Sequence, residues 1–209
     1  MRALVLVLLV AACQSNVTTP FPPGLEPFED NPVPTQQGGA RTEMLVSQST
    51  DSDYIHIYGR GYALVPPATL WAAVKNPPVM VALCSTDSQV ITPNDEPTYE
   101  FSFSVHYSVQ EVITVEWDDA WRYGAIDGTP EDLMLGMIKH QKTQGSDLIS
   151  LSEGTVQVSS TDDPNVTELA FVEHLNATGG STGDVLKGVQ HNYDSIVAAA
   201  HGNPEPACP

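Results

Sequence analysis

The sequence predicts an α+β fold: a curved antiparallel β-sheet wrapped around one long C-terminal α-helix, with one or two short helices after the first strand. Three observations carry this. Residues 99–109 alternate apolar and polar side chains, the pattern of a strand with one buried face. Residues 184–200 repeat apolar side chains at a helical period. Between the two, apolar runs are broken at hairpin intervals by Gly, Asp, Asn and Pro.

Taken in order, residues 54–65 are β-rich, with glycines that suit a bend or bulge, and Pro66-Pro67 stops them. Pro67 suits a helix first turn, and Leu70, Trp71 and Val74 give the short helix that follows an apolar face before Asn76-Pro77-Pro78. A second short helix is expected over 79–84. Tyr99, Phe101, Phe103, Val105, Tyr107 and Val109 then share one strand face, and Glu100, Ser102, Ser104, His106 and Ser108 the other. Ile113, Val115 and Trp117 form the hairpin partner. Asp118-Asp119 resembles a paired-carboxylate site but is read as a hairpin turn, since adjacent acids diverge on a strand and are favoured in loops. Trp121 to Ile126 follows, and then strands over 133–142, 147–158 and 166–178. Val185, Leu186, Val189, Tyr193, Ile196, Val197 and Ala200 form the apolar face of the last helix, and Gly202 is placed to stop it.

The chain has 209 residues, 8 Lys+Arg against 26 Asp+Glu and a formal net charge of −18. Such a charge repels phosphate backbones and anionic headgroups, so nucleic acid is excluded as an electrostatic partner. At the N-terminus Met1-Arg2 precedes an apolar run over 3–10, the pattern of an export signal and too short for the roughly 20 residues that span a bilayer. Val10-Ala11-Ala12-Cys13 resembles the lipobox of bacterial lipoproteins. That resemblance implies acylation of Cys13 and a membrane partner through an N-terminal lipid anchor. Gln14, where an Asp would favour inner-membrane retention, points to the outer membrane, with its periplasmic or outer face left open. Cys84 and Cys208 remain as an even pair in an oxidising compartment, and a disulfide between them would pin the C-terminus.

The expected organisation is a signal peptide at 1–12, a lipid anchor and Pro-rich disordered tether at 13–40, a folded domain at 41–202 and a tail at 203–209. Pro20, Pro22, Pro23, Pro27, Pro32 and Pro34 fall in the tether, and such a composition buries too little apolar surface to offset its ordering entropy. Phe21 and Phe28 offer the alternative of docking on the domain; the spacer is the preferred reading.

From about residue 54 to 201 the order of elements resembles the helix-grip fold of the START-like (SRPBCC) superfamily, which includes polyketide cyclase-type and lipid-transfer proteins. The likeness rests on that order, on the strand-to-helix junction over 65–74 and on Glu173-His174-Leu175-Asn176-Ala177 before the terminal helix. It implies an apolar cavity between sheet and helix. Phe101, Phe103, Val105, Tyr107, Trp117 and Tyr193 are the candidates for its walls. A lipocalin-like barrel is the rival fold, but it would not break into helices after its first strand. The leading functional expectation is an outer-membrane-anchored lipoprotein that binds or carries a lipid or other hydrophobic small molecule. A cyclase- or hydrolase-type enzyme and a non-catalytic envelope lipoprotein with a filled core are the alternatives. Polar candidates for a pocket are His56, His106, His174, Glu173, Arg122 and Tyr123, and none is assigned a catalytic role. No cofactor is expected. The histidines lack H-x-H or H-x-x-x-H spacing, so no metal site is expected either. Glu173 and His174, neighbours on a strand, point to opposite faces.

Overall fold

The structure is a computed structural model describing residues 15–36, 38–81, 84–110 and 113–208. Its strands are β1 (Asn16–Thr18), β2 (Leu45–Asp51), β3 (Ile55–Ala63), β4 (Ser88–Asn94), β5 (Phe101–Gln110), β6 (Thr114–Thr129), β7 (Asp132–Ser146), β8 (Ile149–Ser160) and β9 (Thr167–Ala177). Its helices are α1 (Pro67–Val74), α2 (Pro77–Val81) and α3 (Thr182–Ala200). All nine strands belong to one antiparallel sheet of order β2-β3-β9-β8-β7-β6-β5-β4, with β1 added against β7. Strand β8 pairs with β7 only as far as Gln141↔Glu153. Beyond that point β1 joins β7, with Asn16 opposite Ser146 and Thr18 opposite Gln144.

The concave face buries Ile57, Phe103, Val105, Tyr107, Trp121, Tyr123, Ile138, Val156, Leu169 and Phe171 against Leu70, Trp71 and Val74 of α1 and Val189, Tyr193 and Ile196 of α3. Each strand presents only alternate residues to this face, which is why its sequence signal has period two. Helix α3 is started by Ser181, whose hydroxyl accepts from the Asp184 amide, and is followed by Gly202 at φ +70°. Tyr193 anchors it: its hydroxyl donates to the Tyr62 carbonyl at 2.6 Å. Gly61 makes that seating possible, since a Cβ there would stand 2.7 Å from Tyr193 Cε2.

Three sequence expectations are corrected. The Asp118-Asp119 pair is not a hairpin turn: β6 runs unbroken through it, and a register shift between the two residues absorbs one extra residue of β7. Strand β4 was outside the expected elements because its residues are almost all exposed at the sheet edge, so it carries no apolar period. Most consequential is the Pro-rich segment, which lies across the convex face of the sheet as a strap. Arg122 stacks on Phe21 at 4.0 Å and donates to the Phe21 and Pro22 carbonyls, while Gln141 donates to Pro20. Lys139 donates to the Glu26 carbonyl at 3.0 Å with its ammonium over the Phe28 ring. Asn31 donates to the Gly59 and Phe171 carbonyls, Arg60 to the Val33 carbonyl, and Val33 is buried with Tyr58 and Val172. Proline gives up an N–H but keeps its carbonyl, so an extended Pro-rich chain suits a surface rich in cationic donors.

Cys13 and the signal segment lie outside the described residues. No helix among those described is long and apolar enough to cross a membrane. Cys84 and Cys208 form a disulfide, with Cα atoms 5.5 Å apart and a sequence separation of 124. It ties the segment after α3 to the turn that follows α2 in the chain. By loop-closure entropy, Cys208→Ser is expected to lower the unfolding free energy by about 2–5 kcal/mol, measured by denaturant unfolding of the oxidised protein and the variant.

Candidate functional site

Between the sheet and the N-terminal half of α3 lies a cavity of about 530 Å³. Its walls are apolar and aromatic: Tyr107 and Trp117, Trp121, Val156, Phe171 and Leu175 from the sheet, Met80 from α2, and Val185 and Val189 from α3. The six wall candidates divide. Tyr107 and Trp117 line the cavity and stack on each other at 5.1 Å. Phe101, Phe103 and Val105 continue the same row into the packed core, where Phe103 stacks flat on Trp121 at 5.6 Å. Tyr193 is spent on seating α3.

The cavity also holds a polar cluster. Asp119, His140 and Glu173 come from β6, β7 and β9, and all three point to the concave face. His140 Nε2 stands 3.1 Å from one Glu173 oxygen and 3.2 Å from the other, and its ring lies flat on Trp121 at 4.2 Å. Gly154 is opposite Glu173 in the β8–β9 register, and a Cβ there would collide with the Glu173 carboxylate. A glycine at 154 therefore leaves Glu173 the room to reach His140. Asp119 is opposite Val105 on one side and Lys142 on the other. Asp119 Oδ1, His140 Nδ1 and Trp121 Nε1 are buried and meet no hydrogen-bond partner among the described residues.

Burial raises the Asp119 carboxyl from its ordinary value to about 7; the Glu173 charge adds to the rise, and His140 and Lys142 oppose it. Burial works against protonation of His140, but the adjacent Glu173 carboxylate prevails and raises its pKa. The cluster thus sets a carboxyl raised by burial to about 7 beside an imidazole raised by a neighbouring carboxylate, arranged to exchange protons or hydrogen bonds with a polar group in an apolar chamber.

Of the other polar candidates His174 also borders the cavity, and the rest lie elsewhere. His106 pairs with Asp118 at 2.6 Å on an exposed face. Arg122 serves the strap and pairs with Glu96 at 2.9 Å. Tyr123 is buried in the core. His56 and His174 face the strap, both hydrogen-bonded to Glu29. His140 carries no signal of its own in the sequence, and Asp119 only that of an adjacent acid pair; the two are remote in sequence and brought together by the β6–β7 register.

The lipid transfer and protein localization domain of human StarD13 superposes on 81% of this chain and 88% of its own length, with TM-score 0.51 at 8% identity. The fold is the START-like helix grip. A START superfamily protein from Mycobacterium smegmatis (76% and 97% covered, TM-score 0.49, 10% identity) and an aromatase/cyclase from a Streptomyces species (70% and 91%, 0.46, 13%) are also similar in structure. At these identities the likeness is one of fold alone. No family model matches the sequence, and no curated protein matches it either. Within the helix grip the cavity occupies the space between sheet and terminal helix.

The neutral form of Asp119 is favoured in the folded state, so its contribution is fully present below pH about 4 and is lost as pH rises towards 7, on the order of 4 kcal/mol in all. His140 acts in the same direction, since a raised imidazole pKa stabilises the fold at low pH. Unfolding free energy is therefore expected to fall between pH 5 and 7, and Asp119→Asn to remove most of that slope, measured by denaturant titrations at pH 5, 6 and 7.

Proposed function

We propose that this protein binds and carries a hydrophobic small molecule or lipid in the helix-grip cavity, with the ligand's polar end at Asp119, His140 and Glu173. The observation that carries this reading is a cavity of about 530 Å³, the size of a small-molecule site, with aromatic walls and buried polar atoms that have no partner among the described residues. A ligand carbonyl, hydroxyl or carboxyl would give those atoms partners, and its apolar body would cover Trp117, Tyr107 and Val189.

Anchoring through Cys13 at the outer membrane belongs to the same proposal and is supported by the lipobox. Ser15 accepts a hydrogen bond from the Asp147 amide, and β1 starts at Asn16. Cys13 precedes Ser15 by two residues, a span of at most about 7 Å. The acyl chains would therefore hold the domain against the membrane surface, with the Pro-rich segment used as a strap. Partition into the detergent phase of Triton X-114 is expected for the full chain produced in a bacterial host and lost in Cys13→Ala; retention by the variant would sink the anchoring.

The polar cluster favours a second reading, an enzyme of cyclase or hydrolase type, because His140 and Asp119 are placed to exchange protons with a bound carbonyl group. For binding itself, the mature chain is expected to carry an extractable lipophile detected by native mass spectrometry. Gly188→Trp should weaken binding of a fluorescent fatty acid about tenfold or more, since Gly188 lines the cavity and a Cβ there meets nothing within 4 Å. Unchanged affinity would remove the cavity reading. Hydrolysis of p-nitrophenyl acyl esters that disappears in His140→Asn with binding retained would decide for the enzyme.

A further inference from the structure

A second cluster of titratable groups lies on the opposite side of the sheet, where the strap crosses β3 and β9. His56 and His174 are directly opposite each other in the β3–β9 register. Between their rings sits Glu29 of the strap. Its Oε1 is 2.9 Å from His56 Nδ1, 2.6 Å from His174 Nε2 and 2.8 Å from the Tyr58 hydroxyl. The donor atoms of Glu29, His56 and His174 all lie within 4.8 Å of one another.

We propose that Glu29, His56 and His174 bind a zinc-type divalent cation that clamps the strap to the sheet. Two imidazole nitrogens and one carboxylate oxygen are the donor set of open zinc sites, in which a fourth position is left to water or another ligand. Borderline nitrogen donors select zinc-type ions over calcium or magnesium, which prefer oxygen.

The outer contacts support the assignment, because in a metal-binding histidine the nitrogen remote from the ion is usually held by a hydrogen bond. His174 Nδ1 is 2.9 Å from Glu153 Oε1, and His56 Nε2 is 3.3 Å from Ser52 Oγ. Both remote nitrogens are thus occupied, and both near nitrogens face the same carboxylate oxygen. Tyr54 stacks on His56 at 4.2 Å and sets its ring plane. Ligand atoms around a tetrahedral zinc stand roughly 3.3 Å apart for bonds of ~2.0 Å, so the cluster has to open by several tenths of an ångström. Glu29 is on the partly exposed strap and can retreat by that much, while His174 stays fixed in the sheet. The protons shared between the imidazoles and Glu29 leave as the ion enters. The net charge of −18 concentrates cations at the surface.

This inference does not depend on what the cavity binds. The mature chain, stripped with EDTA and dialysed, is titrated with ZnCl2 by calorimetry and followed by thermal melting. The expected result is one equivalent bound, an EDTA-reversible rise in melting temperature, and no response to CaCl2 or MgCl2. Glu29→Gln, on the strap, should weaken zinc about tenfold or more with its circular dichroism unchanged, and His174→Asn should abolish tight binding. Glu153→Gln should cost about tenfold through the remote nitrogen. His106→Ala should leave affinity unchanged. No zinc binding by the wild-type chain overturns the proposal and leaves Glu29 as a plain hydrogen-bonded latch. So does binding that survives Glu29→Gln and His174→Asn undiminished, or that is lost only in His140→Asn, which would place the ion in the cavity.

Discussion

Every side chain of β9 must go to one of two faces of the sheet, and both polar clusters depend on how that choice falls. Leu169, Phe171 and Glu173 go to the concave face; Glu168, Val172 and His174 go to the convex one. A slip of one residue in the register would exchange the two sets. It would put His174 into an apolar chamber without Glu29 or Glu153, and would press Glu173 against the strap. The packing of Phe171 against Tyr193 on one side and of Val172 against Val33 on the other resists such a slip. The position of α3, the seat of the strap and the separation of the two clusters therefore follow from one alternation.

That alternation is local in sequence, and so the fold was legible. Residues 101–110 announce β5 by their period, and 182–200 announce the terminal helix by a different one. The opposed directions of Glu173 and His174 follow from the same geometry. What period could not supply is which strands become neighbours. Asp119, His140 and Glu173 lie on three strands, and Asp119 stands near His140 only because Trp121 pairs with His140 and a bulge brings Lys142 opposite Asp119. Glu29, His56 and His174 are further apart still, joined by a strap crossing the sheet. Each looks like a lone polar residue in the sequence, and no ligand spacing along the chain could reveal them.

The strap was misread for a related reason. Composition reports whether a segment can bury its own surface, and the Pro-rich stretch cannot. It does not report whether the rest of the chain offers donors to its carbonyls. Of only eight Lys and Arg residues, Arg60, Arg122 and Lys139 all direct nitrogens to carbonyl oxygens of this segment. An acidic protein that assigns three of its few cations to main-chain oxygens is holding that segment in place, which the count of prolines could not convey.

The polar cluster in the cavity is harder to explain as structure than as function. A buried carboxylate and imidazole cost stability, and replacement of such groups by apolar side chains is often neutral or favourable. The surrounding wall shows that apolar residues fit there, since Val105, Tyr107 and Trp121 occupy adjacent positions of the same two strands. Asp119 nonetheless sits in that row with one oxygen unpartnered, and Gly154 leaves the space into which Glu173 extends. A filled core would close that space. A chamber that keeps both an opening and unpaired polar atoms is less stable on its own than a filled one, and a bound polar group offsets the difference. That energetic asymmetry supports the proposed ligand over a filled core.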